Sequence, residues 1–214
     1  MELHDAATGE TKVEYSAGVD AGRGCAANIT KSAGYAIWAT AGKSVATGGG
    51  IYDVYGNVIA EKRGSIPVNF KLYWDGDLLH ELLDGKDSQA LSIYKFNEET
   101  KVADVTKTFD GTVSCNGTKA TPTLCADILG DWREEVIVAS EDSSELRIYM
   151  ASEPTQYRIY TLMHDAVYRN SVAWQNNGYN QPTCLGFYLG EDIADKVLNV
   201  GLKTPNIKYT KHKK

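Results

Sequence analysis

Apolar residues along this chain come in short runs, broken by clusters of Gly, Asn, Asp and Ser. Such runs occupy Tyr35–Ala39, Gly50–Val54, Leu91–Phe96, Val136–Ala139, Leu146–Met150, Tyr157–Met163, Ser171–Trp174 and Gly186–Leu189. Short runs bounded by turn-forming residues predict strands joined by tight turns. Helical spacing is scarce. Leu78, Leu79, Leu82 and Leu83 predict one short helical turn over Asp77–Leu83, and the chain after Gly190 is weakly helical in pattern. The pattern is that of an all-β protein.

The runs repeat. A strand-turn unit recurs at Leu3-His4-Asp5…Gly9-Glu10, Ile51-Tyr52-Asp53…Gly56-Asn57, Ile93-Tyr94-Lys95…Glu98-Glu99 and Ile148-Tyr149…Pro154-Thr155, at intervals of 48, 42 and 55 residues. A second element keeps step with it. Gly76-Asp77-Leu78-Leu79-His80-Glu81 matches Gly130-Asp131-Trp132-Arg133-Glu134-Glu135, and Ala36 holds the equivalent place in an earlier copy. Periods of ~40–50 residues, each carrying about four strands, predict propeller blades. About four blades fit residues 1–190, with 191–214 as a tail that completes or trails the last one. A β-sandwich is the competing all-β arrangement.

Composition narrows the function. The 214 residues carry a formal charge of −6 and are 43% hydrophobic, as in ordinary globular domains. The one locally basic segment is the tail Lys208–Lys214, which argues against nucleic acid as a partner. No apolar stretch approaches the ~20 residues that cross a bilayer as a helix, which argues against a membrane role. Thirteen tyrosines against four phenylalanines suit aromatic rings held near water, as on a sugar-binding surface, or simply tyrosines in strands. The four cysteines form no CxxC pair and have no histidine at zinc spacing, so disulfides are permitted and zinc is not expected. The start Met1–Asp5 has neither a basic nor an apolar region and does not read as a signal peptide.

Asp127, Asp131 and Glu135 stand at the first, fifth and ninth positions of an acidic loop that turns at Gly130. Calcium takes ~6–8 hard oxygen ligands from carboxylates and carbonyls on a sharply turning loop, and the carbonyls of Leu129 and Arg133 could add to this set. The preceding copy keeps Asp75, Asp77 and Glu81, with Tyr73 at the first position. The copy before that offers only Asn28, Thr30, Ser32 and Ala36. The third copy is therefore expected to bind calcium best and the first hardly at all. His164 and Asp165, with the amide oxygens of Asn176 and Asn180, are further candidate ligands. If 175–180 is extended, Asn176, Gly178 and Asn180 share one face. That segment, with its amides and aromatics, also suits a sugar-reading surface. Lys119, after the polar turn Ser114–Thr118, could serve as a general base or as a carboxylate clamp.

Six ordered segments closely resemble the rhamnogalacturonan lyases of polysaccharide lyase family 11. They are Val19–Gly24, Tyr73–Leu79, Asn116–Pro122, Leu129–Glu135, Tyr160–Asp165 and the stretch from Trp174 to Pro182, and the likeness runs over Leu3–Gly190. The resemblance implies an eight-bladed propeller with calcium in its blades, secreted by a bacterium. It implies cleavage of the rhamnogalacturonan I backbone of pectin by β-elimination at galacturonate. Lys119 and Tyr179 would transfer the protons, with base and acid not distinguished. Asn116, Gly117 and Thr118 would contact substrate, and Arg23 would partner a galacturonate carboxylate.

This sequence departs from the family pattern at several places. Asn28, Thr30 and Ala36 replace acidic residues, Cys184 stands for a histidine and Ala166 for a proline. Family members carry further blades ahead of this stretch, so the chain corresponds to roughly the last half of the ring. A pectin-binding remnant without catalysis, or a half-ring whose open edges pair between copies, are the alternatives to a working lyase.

Overall fold

The structure, a computed structural model, describes residues 1–15, 21–32, 34–40, 49–85, 90–117, 119–178 and 180–193. It opens with a hairpin of β1 (Glu2–His4) and β2 (Thr11–Glu14), in which Leu3 pairs with Val13. A four-stranded antiparallel meander follows: β3 (Gly24–Ala27), β4 (Ala36–Ala39), β5 (Ile51–Asp53) and β6 (Val58–Ala60). A second meander holds β7 (Phe70–Leu72), β8 (Glu81–Gly85), β9 (Leu91–Asn97) and β10 (Val102–Thr108). In the third sheet β13 (Glu135–Ser140) lies between β14 (Leu146–Tyr149) on one side and β12 (Leu124–Ala126) on the other. The short β11 (Thr112–Val113) pairs with the far end of β13.

The all-β expectation holds for these sheets, and no sheet closes on itself among the described residues. Three of the four repeated strand-turn units form hairpins, each set by a side chain that caps its own turn. Asp5 Oδ1 accepts from the amides of Ala7 and Thr8. Asp53 Oδ1 accepts from those of Tyr55 and Asn57, and Asn97 Oδ1 from those of Glu99 and Thr100. These local bonds offer the backbone a turn in place of a ladder. The fourth copy stops at β14.

The second meander is the middle layer. Successive residues of a strand face opposite sides of its sheet, and β8 uses both sides. Leu83 packs with Phe70, Leu91, Ile93, Val136 and Val138, toward the third sheet. Leu82 and Phe96 pack with Ala27, Trp38, Ile51 and Val68, toward the first. This corrects the expectation of a helical turn over Asp77–Leu83. Adjacent leucines belong to a strand covered on both faces, and β8 begins at Glu81.

Three strand expectations fail. Ser171–Trp174 lies in a helix, α1 (Ala166–Trp174), where Tyr168 and Ser171 are the buried residues. Tyr157–Met163 has no strand partner. Its Tyr157, Ile159 and Leu162 instead pack irregularly with Tyr73, Leu78, Trp132, Tyr168 and Leu189, and a single 3-10 turn covers Leu162–His164. Gly186–Leu189 is not a strand either. Residues 175–178 turn at the end of α1, so the extended reading of 175–180 does not hold. The four cysteines are free thiols. No described helix is long and apolar enough to cross a membrane. The described start of the tail, Glu191–Ile193, is a 3-10 turn, and 194–214 lie outside the described residues.

Candidate functional site

The acidic loop ahead of β8 is wound tightly, and each carboxylate divides its oxygens in the same way. Asp75 Oδ1 accepts from the Asp77 amide and Asp77 Oδ1 from the Leu79 amide, both at 2.9 Å. Glu81 Oε2 accepts from Trp74 and Asp75 at 3.0 and 3.2 Å. The remaining oxygens converge. Asp75, Asp77 and Glu81 bring one oxygen each within 4.8 Å of one another and could hold a metal ion. A cation of the chain's own stands among them. Lys95 Nζ donates to Asp75 Oδ2, to Asp77 Oδ2 at 2.6 Å and to Glu81 Oε1 at 2.9 Å. An ion and this ammonium exclude each other, so the three carboxylates fit a metal only with Lys95 withdrawn. Burial, the largest influence on Glu81, pushes its carboxyl up to about 8 in spite of Lys95.

The third-copy loop repeats the backbone bonds without the convergence. Glu135 Oε2 accepts from Ile128 and Leu129 at 2.9 and 3.0 Å, and Asp131 Oδ1 from Arg133 at 3.1 Å. Asp131 Oδ2 turns to the Arg133 guanidinium at 2.5 Å. Both Asp127 oxygens face backbone amides, those of Gly130 and Leu162, at 2.8 and 2.7 Å. The strands explain the contrast. Leu82 pairs with Tyr94, so one step further Glu81 faces Lys95; Val136 pairs with Tyr149, so Glu135 faces Met150. In the first copy Ala36 pairs with Asp53. Only the second copy places a cation there.

Among the described residues, His164 and Asp165 belong to no group of three side chains close enough to share an ion. Asp165 caps α1, accepting from the amides of Val167 and Tyr168, and also from Gly186 at 2.5 Å. His164 is exposed and packs edge-on against Tyr160.

The loop that carries Asn116, Gly117 and Lys119 is flanked by Cys115 and Pro122, and both of these accept from Asn180 Nδ2. The Cys115 amide donates to Thr121 O at 3.0 Å, the Lys119 and Ala120 amides both donate to Asn116 O, at 3.1 and 2.7 Å, and Ala120 has φ 46°. The segment after α1 is fastened beside it. Gln175 Oε1 accepts from the Cys125 amide at 2.6 Å and its Nε2 donates to Cys125 O at 2.7 Å. Asn176 Nδ2 donates to Thr123 O at 2.5 Å. Asn180 Nδ2 donates to Pro122 O and to Asn176 Oδ1, each at 2.9 Å. Asn176 and Asn180 thus hold chain to chain. Arg23 reaches the same place from just ahead of β3, its Nη2 donating to Asn69 O at 2.7 Å and Asn180 O at 3.0 Å. Thr118 and Tyr179 lie outside the described residues.

Sequence reasoning missed a buried polar band behind this junction. Glu134 accepts from the Tyr73 amide at 2.9 Å, from Tyr168 Oη at 2.7 Å and from the Thr183 hydroxyl. His80 stacks on Tyr73 with ring centroids 4.0 Å apart. Lys71 lies over the Tyr35 ring at 5.2 Å, beside a cavity of about 460 Å³. The sole sequence signal was alternation: Lys71 sits between Phe70 and Leu72 on a three-residue strand that is buried throughout.

Three comparisons bear on this arrangement. The family model for the C-terminal domain of rhamnogalacturonan lyase family 11 matches residues 1–198. The chain is 45% identical over 197 residues to the rhamnogalacturonan endolyase YesW of Bacillus subtilis (strain 168), covering 92% of this chain and 30% of that protein. It is 43% identical over 199 residues to the rhamnogalacturonan exolyase YesX of the same organism, covering 89% and 32%. The crystal structure of YesX matches with a TM-score of 0.80 over 87% of this chain and 32% of that one. The rhamnogalacturonan lyase PL11 of Bacillus licheniformis matches at 48% identity and a TM-score of 0.76, over 86% and 29%. The chain therefore spans about a third of the length of the curated relatives it matches.

Proposed function

Since this chain belongs to rhamnogalacturonan lyase family 11, we propose that it acts, as the C-terminal part of a longer enzyme, in cleaving the rhamnogalacturonan I backbone by β-elimination. One observation carries the reading. The loop that bears Lys119 and the segment leading to Tyr179 are stapled to each other through Asn180–Pro122, Asn176–Thr123 and Gln175–Cys125. Proton transfer needs such fixed placement.

The base takes the proton from C5 of galacturonate. The electron pair left behind forms the C4–C5 double bond, and the bond from C4 to the rhamnose oxygen breaks. The acid then protonates that oxygen. Lys119 and Tyr179 share these two tasks, with Asn116, Gly117 and Thr118 as substrate contacts. Arg23 is read as a positioning residue, because its Nη2 holds both the Asn69 and the Asn180 carbonyl. The stacked meanders are read as blades of an eight-bladed ring. Calcium is the ion proposed for the Asp75, Asp77 and Glu81 oxygens, on the ground that all three donors are hard. Its part there is structural, and it competes with Lys95.

The experiment is to add rhamnogalacturonan I to the chain, alone and mixed with the remainder of a family enzyme, and follow the ultraviolet absorbance of the unsaturated uronate. Product from either sample, lost in Lys119→Ala with the fold intact, is the expected result. Its absence from both overturns the reading. The short span relative to its relatives favours a second reading, binding without cleavage, in which calorimetry detects the polysaccharide and no product forms.

A further inference from the structure

The cavity beside Lys71 is not used by the chemistry above. It is framed by Cys25, Tyr35, Lys71, Trp174 and the stretch from Gln181 to Leu185, and its volume falls within the ~300–1,000 Å³ usual for ligand pockets. Lys71 is 8% exposed, and no ion pair reaches it among the described residues. A buried cation without a counter-charge is costly, so its surroundings must leave it neutral or await a partner.

Hydrogen-bond geometry shows which. The Asn28 amide can only donate, and it donates to His80 Nδ1 at 3.1 Å. The proton of neutral His80 therefore lies on Nε2. That Nε2–H points at Lys71 Nζ, 3.5 Å away. An ammonium there would set donor against donor, whereas a neutral amine accepts. Burial, which lowers the Lys71 pKa, acts in the same direction. The other titratable groups that act on it are Cys25, Tyr35, Cys184 and Glu134, whose oxygens accept from Tyr73, Tyr168 and Thr183 and form no ion pair with Lys71. Burial pushes the Cys25 thiol up to about 11 and lifts the Tyr35 hydroxyl, so neither supplies the missing negative charge near neutral pH.

We propose that this cavity is a uronate subsite, in which an entering sugar carboxylate meets Lys71 and draws a proton onto it. The walls fit that ligand. Trp174, 47% exposed, and Tyr35 offer aromatic faces for the apolar side of a pyranose ring. One amine with no arginine fork suits a singly charged carboxylate better than a doubly charged phosphate. Gln181 at the rim adjoins Asn180, which is fastened to the Lys119 loop. The choice of a uronate rests on the lyase reading, because that reading supplies the substrate class.

The test is calorimetric titration of the 214-residue chain with D-galacturonate, D-galactose and inorganic phosphate, in two buffers of different ionisation heat. Galacturonate is expected to bind at least ~10-fold more tightly than galactose or phosphate, with uptake of about one proton. Lys71→Met should erase the preference for galacturonate over galactose. Trp174→Ala, at a half-exposed position, should weaken both sugars together, and it keeps the test open if Lys71→Met does not fold. Equal binding of the two sugars, tighter phosphate, no proton uptake, or an unchanged Lys71→Met overturns the subsite. Absence of unsaturated product both from these preparations and from their mixture with the remainder of a family enzyme overturns the lyase reading and leaves these binding results standing.

Discussion

Lys95 and Glu81 face each other across β8 and β9, with Nζ 2.9 Å from Oε1. Lys95→Met reproduces what the third copy has at the same place, where Glu135 faces Met150. The change leaves three converging carboxylates with no cation. Breaking a buried pair costs about 3–5 kcal/mol, and Lys95 is partly open to water, so a loss of about 2–3 kcal/mol is expected. Millimolar calcium should restore much of it in the variant and shift the wild-type midpoint far less. Thermal melts with and without calcium check this, and equal shifts for both proteins would refute mutual exclusion.

The same pair sets a pH response. Glu81 is raised from 4.5 in the unfolded chain to about 8 in the folded one. Its contribution to stability is therefore fully present below pH 4.5 and is lost as pH rises toward 8. Glu81→Gln should flatten the fall in unfolding free energy between these limits, read from denaturant melts at a series of pH values. A slope unchanged by the substitution would contradict the shift.

Gln175 serves one backbone residue twice. Replacing it with Leu leaves the Cys125 amide and carbonyl without partners, and each unsatisfied buried group costs about 1–3 kcal/mol. A loss of about 2–4 kcal/mol is expected from chemical denaturation. Under the lyase reading, product formation by a mixture made with Gln175→Leu should fall more steeply than its folded fraction, because the segment leading to Tyr179 loses its anchor.

Asp165 is a helix cap in the structure and a candidate metal ligand in the sequence, and one substitution separates the two. Asp165→Ala should cost about 1–2 kcal/mol, the usual value of a lost cap, and the loss should be the same with calcium or with chelator. Dependence of the loss on calcium would reinstate the ligand.

What the sequence shows is mostly what lies close along the chain. Asp53 and Asn97 cap their own turns, so the hairpins of the repeat are legible from neighbouring residues. Asp77 and Asp131, like Glu81 and Glu135, make the same backbone bonds in their two copies, so the acidic spacing is meaningful. Lys95 is not legible as their partner, since its role depends on strand register 14 residues away from Glu81. Helix α1 is hidden because its inward face carries only Tyr168 and Ser171. Tyr157–Met163 reads as a strand because packing in an irregular cluster also demands apolar residues. Lys71 and His80 meet across β7 and the turn before β8, and nothing in their spacing announces a cavity.

Cys125 presents its amide and carbonyl to Gln175, while β13 takes the opposite side of β12. One side-chain amide thus does the work of a neighbouring strand, and it closes a border that would otherwise be sticky. A sheet rim with unmet donors and acceptors invites another chain to lie alongside. Here the invitation is withdrawn by a residue at the end of a helix, so loosening that helix would uncover a docking edge for a second copy of the protein.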